Sequence, residues 1–545
     1  MTVADLLLAR VDDDHPALLF EDEVISWAQL VEDGRRRATV AAARRQPGPF
    51  NIGVLLDNVP EYLYWIAGAA LGGAAIVGIN PTRRGSELAA DILHTDCQLL
   101  ITDTANATAL NGLDIGIPSG NTLLVDAPSY NDELLGADGS VAKLAATPND
   151  VLLLLFTSGS TGRPKAVICT QGRFAAIAGR TPGRFGITRH DVLYEAMPLF
   201  HGNALMANWA PALGAGATVA LRRRFSATGF IDDVRRYRAT YFNYVGRALA
   251  YVLATPERPD DADNELRLGF GTEASARDME RFSTRFGCRI MESYGSSEGP
   301  IAILKTAETP ASALGRPADG MDVAVLDPTT GKECPPAAFD QHGRLVNSDA
   351  AIGELVGRNG SRLFEGYYNN PAAEAERLRE GSYWSGDLGY RDEAGYFYFA
   401  GRSADWLRVD SENFAAGPIE RILARHPDVV MVAVYPVPDP STGDQVMAAV
   451  ELRPGVPFDP HGFAAFLGEQ ADLGTKWAPR FVRVVASMPL TSTNKVDKQP
   501  LRRDAWRTDE VVWWHPVGGS GYRRLGADDS AGLSRQLQDG GANRI

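Results

Sequence analysis

The sequence predicts the α/β class, and three observations predict it. Short apolar, β-branched runs recur along the chain: IGVLLD, QLLIT, TLLVD, VLLLLF and ATVALR. Longer segments with the period of amphipathic helices, such as FIDDVRRY and ASARDMERFSTRFG, lie between them. Alternation of this kind implies helices laid on largely parallel sheets. The third observation is size. At 545 residues the chain exceeds the roughly 250–300 residues at which a single core stops growing, so at least two domains are expected.

Composition narrows the function classes. The 45% of hydrophobic residues can fill large cores. The formal charge of −14 argues against a nucleic-acid binder, because an extended phosphate backbone needs a basic surface, whereas a small phosphate ligand needs only a local patch. Cys97, Cys169, Cys288 and Cys334 include no close pair of the kind a zinc site or redox dithiol uses, and read as scattered buried thiols in a reducing compartment. The N-terminal MTVADLLLARVDDDH lacks the basic and long apolar parts of a secretory signal. The expected location is therefore cytoplasmic.

Taken in chain order, the first notable stretch is YLYWIAGAALGGAAIVGI, residues 62 to 79, which carries no charge and reaches the lower length for a membrane span. Gly72-Gly73 interrupts it and AAIVGIN reads as a buried strand ending at Pro81, so a buried helix, turn and strand is the expectation. VLLLLF follows at 151 to 156 and runs straight into TSGSTGRPK. A buried strand that ends in such a string offers consecutive backbone N–H groups, made accessible by glycine, beside several hydroxyls. That is an anion cradle. Lys165 adds a mobile positive charge suited to phosphate oxygens. The P-loop pattern G-x-x-x-x-G-K-[ST] does not align, since Lys165 follows Arg163-Pro164 and precedes Ala166. A flexible surface loop uses the same residue types, and the string alone leaves both readings open.

Further on come PLFHGNAL around His201, the triple Arg222–Arg224, FGTEAS, YGSSEG (Tyr294 to Gly299) and WSGDLG (Trp384 to Gly389). In isolation Glu298 and Asp387 read as turn residues, His201 as a structural histidine and the arginines as a solvated strand end. Near residue 400 the texture changes, through turn-rich SYWSGDLGYRDEAGYFYFAGRSAD, into a compact unit. Its predicted elements are helix PIERILARHP, strands VVMVAVYPV and QVMAAVEL, helix GFAAFLGEQA and strand FVRVVASM. A hinge is placed near Gly401–Asp405, giving domains 1–401 and 402–545. PLTSTNKVDKQPLR holds Lys495, and the polar tail after roughly residue 525 is expected to be poorly ordered.

In this order and over almost the whole chain, these strings resemble the acyl-adenylate-forming (AMP-binding) superfamily of acyl-CoA synthetases, firefly luciferases and peptide-synthetase adenylation domains. TSGSTGRPK is similar to the family's phosphate loop [ST]-S-G-[ST]-T-G-x-P-K-G, with Ala166 in place of the last glycine. The resemblance implies a large N-terminal domain of stacked α/β subdomains and a small mobile C-terminal α+β domain. It implies that Thr157, Ser158, Gly159, Ser160, Thr161, Gly162 and Lys165 hold ATP phosphates. Gly271, Thr272 and Glu273 would lay backbone along adenine, the Tyr294 ring would pack on it with Gly295, and Ser297 would meet a phosphate. Glu298 would help hold Mg²⁺, Asp387 would accept from the ribose hydroxyls and Arg402 would contact ribose or phosphate. His201 would lie near the acyl and pantetheine passage. Lys495 would enter from the small domain for adenylation, with Glu298 and Lys165 as its catalytic companions. Two positions depart from the pattern: Ala404 stands at the hinge pivot and Asn494 where glycine commonly precedes the lysine.

RRRFSATGF, YFNYVGRALAYVLATPERPDD and VVWWHPVGGSGYRRL are looser resemblances to very-long-chain acyl-CoA synthetases and fatty-acid transport proteins. The implied reaction joins a fatty acid to AMP and then to coenzyme A. An acyl-AMP ligase that loads a carrier protein, or a catalytically silent nucleotide- or lipid-binding protein, is the alternative. Acyl-pocket walls are expected from HGNALMANWAPAL and YFNYVGRALAYVL, and substrates that partition into bilayers are compatible with loose peripheral membrane association.

Overall fold

The computed structural model of the chain describes residues 1–139, 146–157, 165–245, 247–306, 308–310, 312–341, 345–402, 406–409, 412–439, 443–474, 476–491, 495–516 and 521–539. Among these, the strands assemble into four sheets. The apolar runs become strands Asn51–Leu55, Cys97–Thr102, Thr122–Leu124 and Val151–Thr157 of one six-stranded sheet, which is parallel except where Lys165–Thr170 folds back on Val151–Thr157. ATVALR contributes Thr218–Leu221 to a nine-stranded sheet. The middle of that sheet is parallel, from Pro16–Phe20 to Arg289–Gly295, and antiparallel strands finish both edges.

One core serves both sheets, because each strand is apolar on the face turned to the helices between them: Ile52, Leu153, Leu18, Tyr241, Trp65 and Phe174 are all fully buried in it. Helix Trp27–Ala42 starts with a reciprocal cap between Ser26 and Gln29 and packs on helix Pro60–Gly72. The two are clamped by Arg37, buried, whose guanidinium meets both Glu61 oxygens at 2.6 Å. The uncharged stretch 62 to 79 divides as expected into the end of this helix and strand Ala75–Gly78, with Gly73 in the left-handed conformation (φ 68°) that stops the helix. No helix among the described residues is long and apolar enough to cross a membrane.

A five-stranded antiparallel sheet follows, built on Val323–Leu326, Gly353–Gly357 and the hairpin Ser382–Arg391/Phe397–Arg402. This corrects the turn-rich reading of SYWSGDLGYRDEAGYFYF: its glycines sit in a bulged register and at the reversal, while Tyr383, Trp384, Leu388, Tyr390 and Phe397 go into the core. The last sheet contains the three predicted strands, Gly443–Leu452 pairing with Val429–Asp439 and with Phe481–Val485, and adds Val511–Trp514 from VVWW, with Arg523–Arg524 beyond it at the edge. The tail is a second correction. Residues Ala527–Asp539 form a helix whose first turn carries Asp528 and Asp529, favourable at a helix N-terminus, and whose Leu533 packs on the core of this unit. The hinge residues 403–405 lie outside the described residues.

Gly78 joins the fold to the site. A Cβ there would stand 2.6 Å from the carbonyl oxygen of Phe200, the residue before His201. Gly78→Ala is expected to destabilise the protein by about 1–3 kcal/mol through overpacking, read as a lowered thermal midpoint; an unchanged midpoint would show that the two backbones part at no cost.

Candidate active site

Thr157 ends its strand directly opposite Lys165. Ser158, Gly159, Ser160, Thr161 and Gly162, between them, lie outside the described residues. Lys165 itself corrects an expectation: it is not a mobile cation. It is buried in strand Lys165–Thr170, with Nζ 3.3 Å from Glu376 of helix Pro371–Arg377 and 5.9 Å from the centre of the Tyr367 ring. A buried ammonium needs such a partner, since an unpaired charge would lose its hydration uncompensated.

Tyr367 also reaches the predicted magnesium residue. Its hydroxyl donates to Glu298 Oε1 at 3.0 Å. Burial pushes the phenol's pKa well above its ordinary value, so it stays a donor. Glu298 is itself buried, in the turn that leaves strand Arg289–Gly295; Arg173 grips that turn by donating to the Ser297 carbonyl. Within 2.8 Å of where a Gly202 Cβ would sit is Ser297 Oγ, so the chain after His201 packs against the same turn.

Tyr294, on the strand Arg289–Gly295, donates its hydroxyl to Asp387 Oδ2 at 2.7 Å. Asp387 is fixed by its backbone: Gly386, with φ 76°, donates its N–H to buried Glu354 at 2.6 Å, and the Asp387 N–H goes to Ser385 Oγ at 3.0 Å. Arg402 stands opposite Asp387 in the strand register, with its side chain outside the described residues. The adenine and ribose candidates thus form one hydrogen-bonded pair across two sheets.

On the other side, strand Leu268–Thr272 presents Gly271 against Tyr244, whose carbonyl would lie 2.4 Å from any Cβ there. The chain then turns through Glu273 at φ 70°, a strained angle for a residue with a side chain. Ala274 pins the turn by donating its N–H at 2.6 Å to Glu292, a buried carboxyl that also accepts from Tyr244. Glu273 then holds Lys495 Nζ at 2.6 Å from its Oε1, across 222 positions of sequence. Burial, and next the charge of Lys495, push the His201 imidazole down to about 4. Lys495, His201 and Glu273 are therefore neighbours.

A small gap of about 10 Å³, lined largely by apolar side chains, lies among Met197, Phe230, Tyr244, Leu249, Val252 and Phe282. It has room for about one water molecule and not for an acyl chain. Arg222, Arg223 and Arg224 each pair with an acid, Asp233, Glu21 and Asp57 respectively, which fits the strand-end reading. The four cysteines are free and buried, and burial pushes Cys97 and Cys169 up to about 12. Sequence reasoning missed Tyr367, Glu376, Glu292 and Glu354: none sits in a motif, and each acts only through a contact made in the fold. The run GYYNN carried the one available hint, two aromatics beside turn residues.

A magnesium ion needs hard oxygen ligands and takes most of them from water and phosphate, so one or two carboxylates suffice. Glu298 fits that requirement as a donor. No cluster of three ligating side chains exists among the described residues to hold a metal without phosphate.

Residues 8–368 match the family model described as AMP-binding enzyme, and residues 418–495 match that of the AMP-binding enzyme C-terminal domain. The chain is 51% identical to a steroid-22-oyl-CoA synthetase of Rhodococcus jostii, covering 100% of this chain and 98% of the relative. It is 47% identical to a medium/long-chain fatty-acid–CoA ligase, FadD17, of Mycobacterium tuberculosis, covering 94% of this chain and 98% of that one. Among solved structures, ATP-bound MatB from Rhodopseudomonas palustris shares the fold with a TM-score of 0.80 at 24% identity, over 92% of this chain and 99% of that one.

The depressed His201 value sets a pH dependence. Between about 4 and the ordinary 6.5 the unfolded chain binds a proton that the folded imidazole refuses, so stability falls as pH drops through this window. His201→Gln is expected to flatten that part of the stability–pH curve measured by denaturant unfolding; a slope equal to wild type would remove His201 as its source.

Proposed function

The chain belongs to the AMP-binding enzyme family, and on that premise we propose that it is an AMP-forming acid–thiol ligase that activates an apolar carboxylic acid with ATP and transfers it to coenzyme A. In the first half-reaction a carboxylate oxygen bonds to the α-phosphorus of ATP and the bond to the bridging oxygen breaks. Acyl-AMP and pyrophosphate result. In the second, the thiol sulfur of coenzyme A bonds to the acyl carbon, AMP leaves with the bonding pair, and the thiol proton passes to solvent.

No protein nucleophile is required, because the acid is the nucleophile. The difficulty is electrostatic: two anions must meet, so rate comes from positioning and from positive charge placed where negative charge develops. The observation that carries the reading is Lys495, brought by the small unit to within 2.6 Å of Glu273 and beside His201, while Tyr294 and Asp387 pair nearby. In this reading Lys495 faces the α-phosphate, Asp387 receives the ribose hydroxyls, Tyr294 flanks the base, and the loop from Thr157 to Lys165 holds the distal phosphates. Mg²⁺, held by Glu298, would neutralise phosphate charge. Residues 1–401 form the nucleotide- and acyl-binding domain and 402–545 the small domain that carries Lys495.

The acid is read as a medium to very long fatty acid, supported by the relatives named fatty-acid–CoA ligases. A steroid side-chain acid is the second reading, favoured by the full-length relative that carries that name. Coenzyme A is preferred to a carrier protein, since these relatives are named CoA ligases. The cytoplasm is the proposed location, with apolar acids taken from the membrane surface.

ATP–pyrophosphate exchange with a panel of fatty and steroid side-chain acids tests the reading, followed by mass spectrometry for acyl-CoA. Lys495→Ala should slow pyrophosphate release on the order of 10²–10³, the loss typical of one preorganised donor. Release at the wild-type rate would take Lys495 out of the chemistry.

A further inference from the structure

Five consecutive residues, 273 to 277, make two contacts with the small unit, and both use residues that local structure disfavours. Glu273 takes a left-handed backbone angle that costs any residue with a side chain. Arg277 lies in the first turn of helix Ala276–Phe286, where the exposed N–H groups of the helix repel a cation. Each is explained by what it reaches. Glu273 takes the ammonium of Lys495 at 2.6 Å. The Arg277 guanidinium donates to the carbonyls of His426 at 2.9 Å, Pro427 at 3.3 Å and Ala424 at 3.4 Å. Those carbonyls belong to the turn that leaves helix Ala416–Leu423, the first helix of the small unit. Carbonyls gathered just past a helix C-terminus lie where partial negative charge collects, so a forked cation is their natural partner.

We propose that Arg277 is a positioning residue for the first half-reaction: it docks the turn after helix Ala416–Leu423 on the large domain so that Lys495, held by Glu273 four residues before Arg277, stands at the site. The inference rests on the adenylation reading given above. Arg277 touches no substrate and acts through Lys495. The turn at Glu273 is pinned by the Ala274 N–H on Glu292 and leads directly into the helix that carries Arg277. Its two contacts are partly exposed, which makes them weak enough to release when the small unit must leave for the thiol. A firm buried clamp would trap the enzyme after acyl-AMP had formed.

The test separates the half-reactions in the full-length chain. Arg277→Ala is expected to slow pyrophosphate release from ATP and acid about tenfold, as loss of charge-assisted hydrogen bonds does. Thioester formation from presynthesised acyl-AMP and coenzyme A should stay within about twofold of wild type, because Lys495 has no part in it. Arg277→Lys keeps the charge and loses the fork, and should recover part of the first rate. Equal loss in both half-reactions would make Arg277 merely structural, and no loss in either would overturn its docking role. A wild-type chain that released no pyrophosphate with any acid would overturn the adenylation reading itself, independently of the variant.

Discussion

Two phenol-to-carboxylate hydrogen bonds, Tyr294 to Asp387 and Tyr367 to Glu298, join strand Arg289–Gly295 and the turn after it to the segments that carry Asp387 and Tyr367, and the other candidate site residues lie around that seam. The phenols, held neutral by burial, donate to the two acids and orient them.

The cations are arranged the other way round. Lys165 and Lys495 each rest on a glutamate, Glu376 and Glu273, drawn from distant parts of the chain. Lys165 is buried in a strand of the large domain. Lys495 is partly exposed and its partner sits on a turn, so its position depends on where the small unit lies. One buried and one partly exposed positive charge suit the proposed reaction, in which two anions must meet before a thiol enters.

Much of this was legible in the chain. VLLLLF and the other apolar runs became the buried strands they promised, and Gly72-Gly73 divided the uncharged stretch into helix and strand. Glycine and asparagine punctuation and two-residue or four-residue periodicity act locally, so sequence displays them directly. The hairpin through Asp387 was hidden because its bulge and glycines mimic a string of turns, while its aromatic residues alternate only around that bulge. The helix Ala527–Asp539 was hidden because few of its residues are apolar and its support is tertiary. Site residues inside motifs could be named in advance. Their supports, Tyr367, Glu292 and Arg277, could not, since each is an ordinary residue whose meaning comes from a partner many positions away.

The central claim is that nucleotide binds along the seam, with its sugar at Asp387 and its phosphates directed to the end of strand Val151–Thr157. A crystal structure with a non-hydrolysable ATP analogue measures this most directly. The ribose hydroxyls should lie within hydrogen-bond distance of the Asp387 carboxylate and the triphosphate between Thr157 and Glu298. An analogue bound elsewhere, with its ribose away from Asp387, would contradict it.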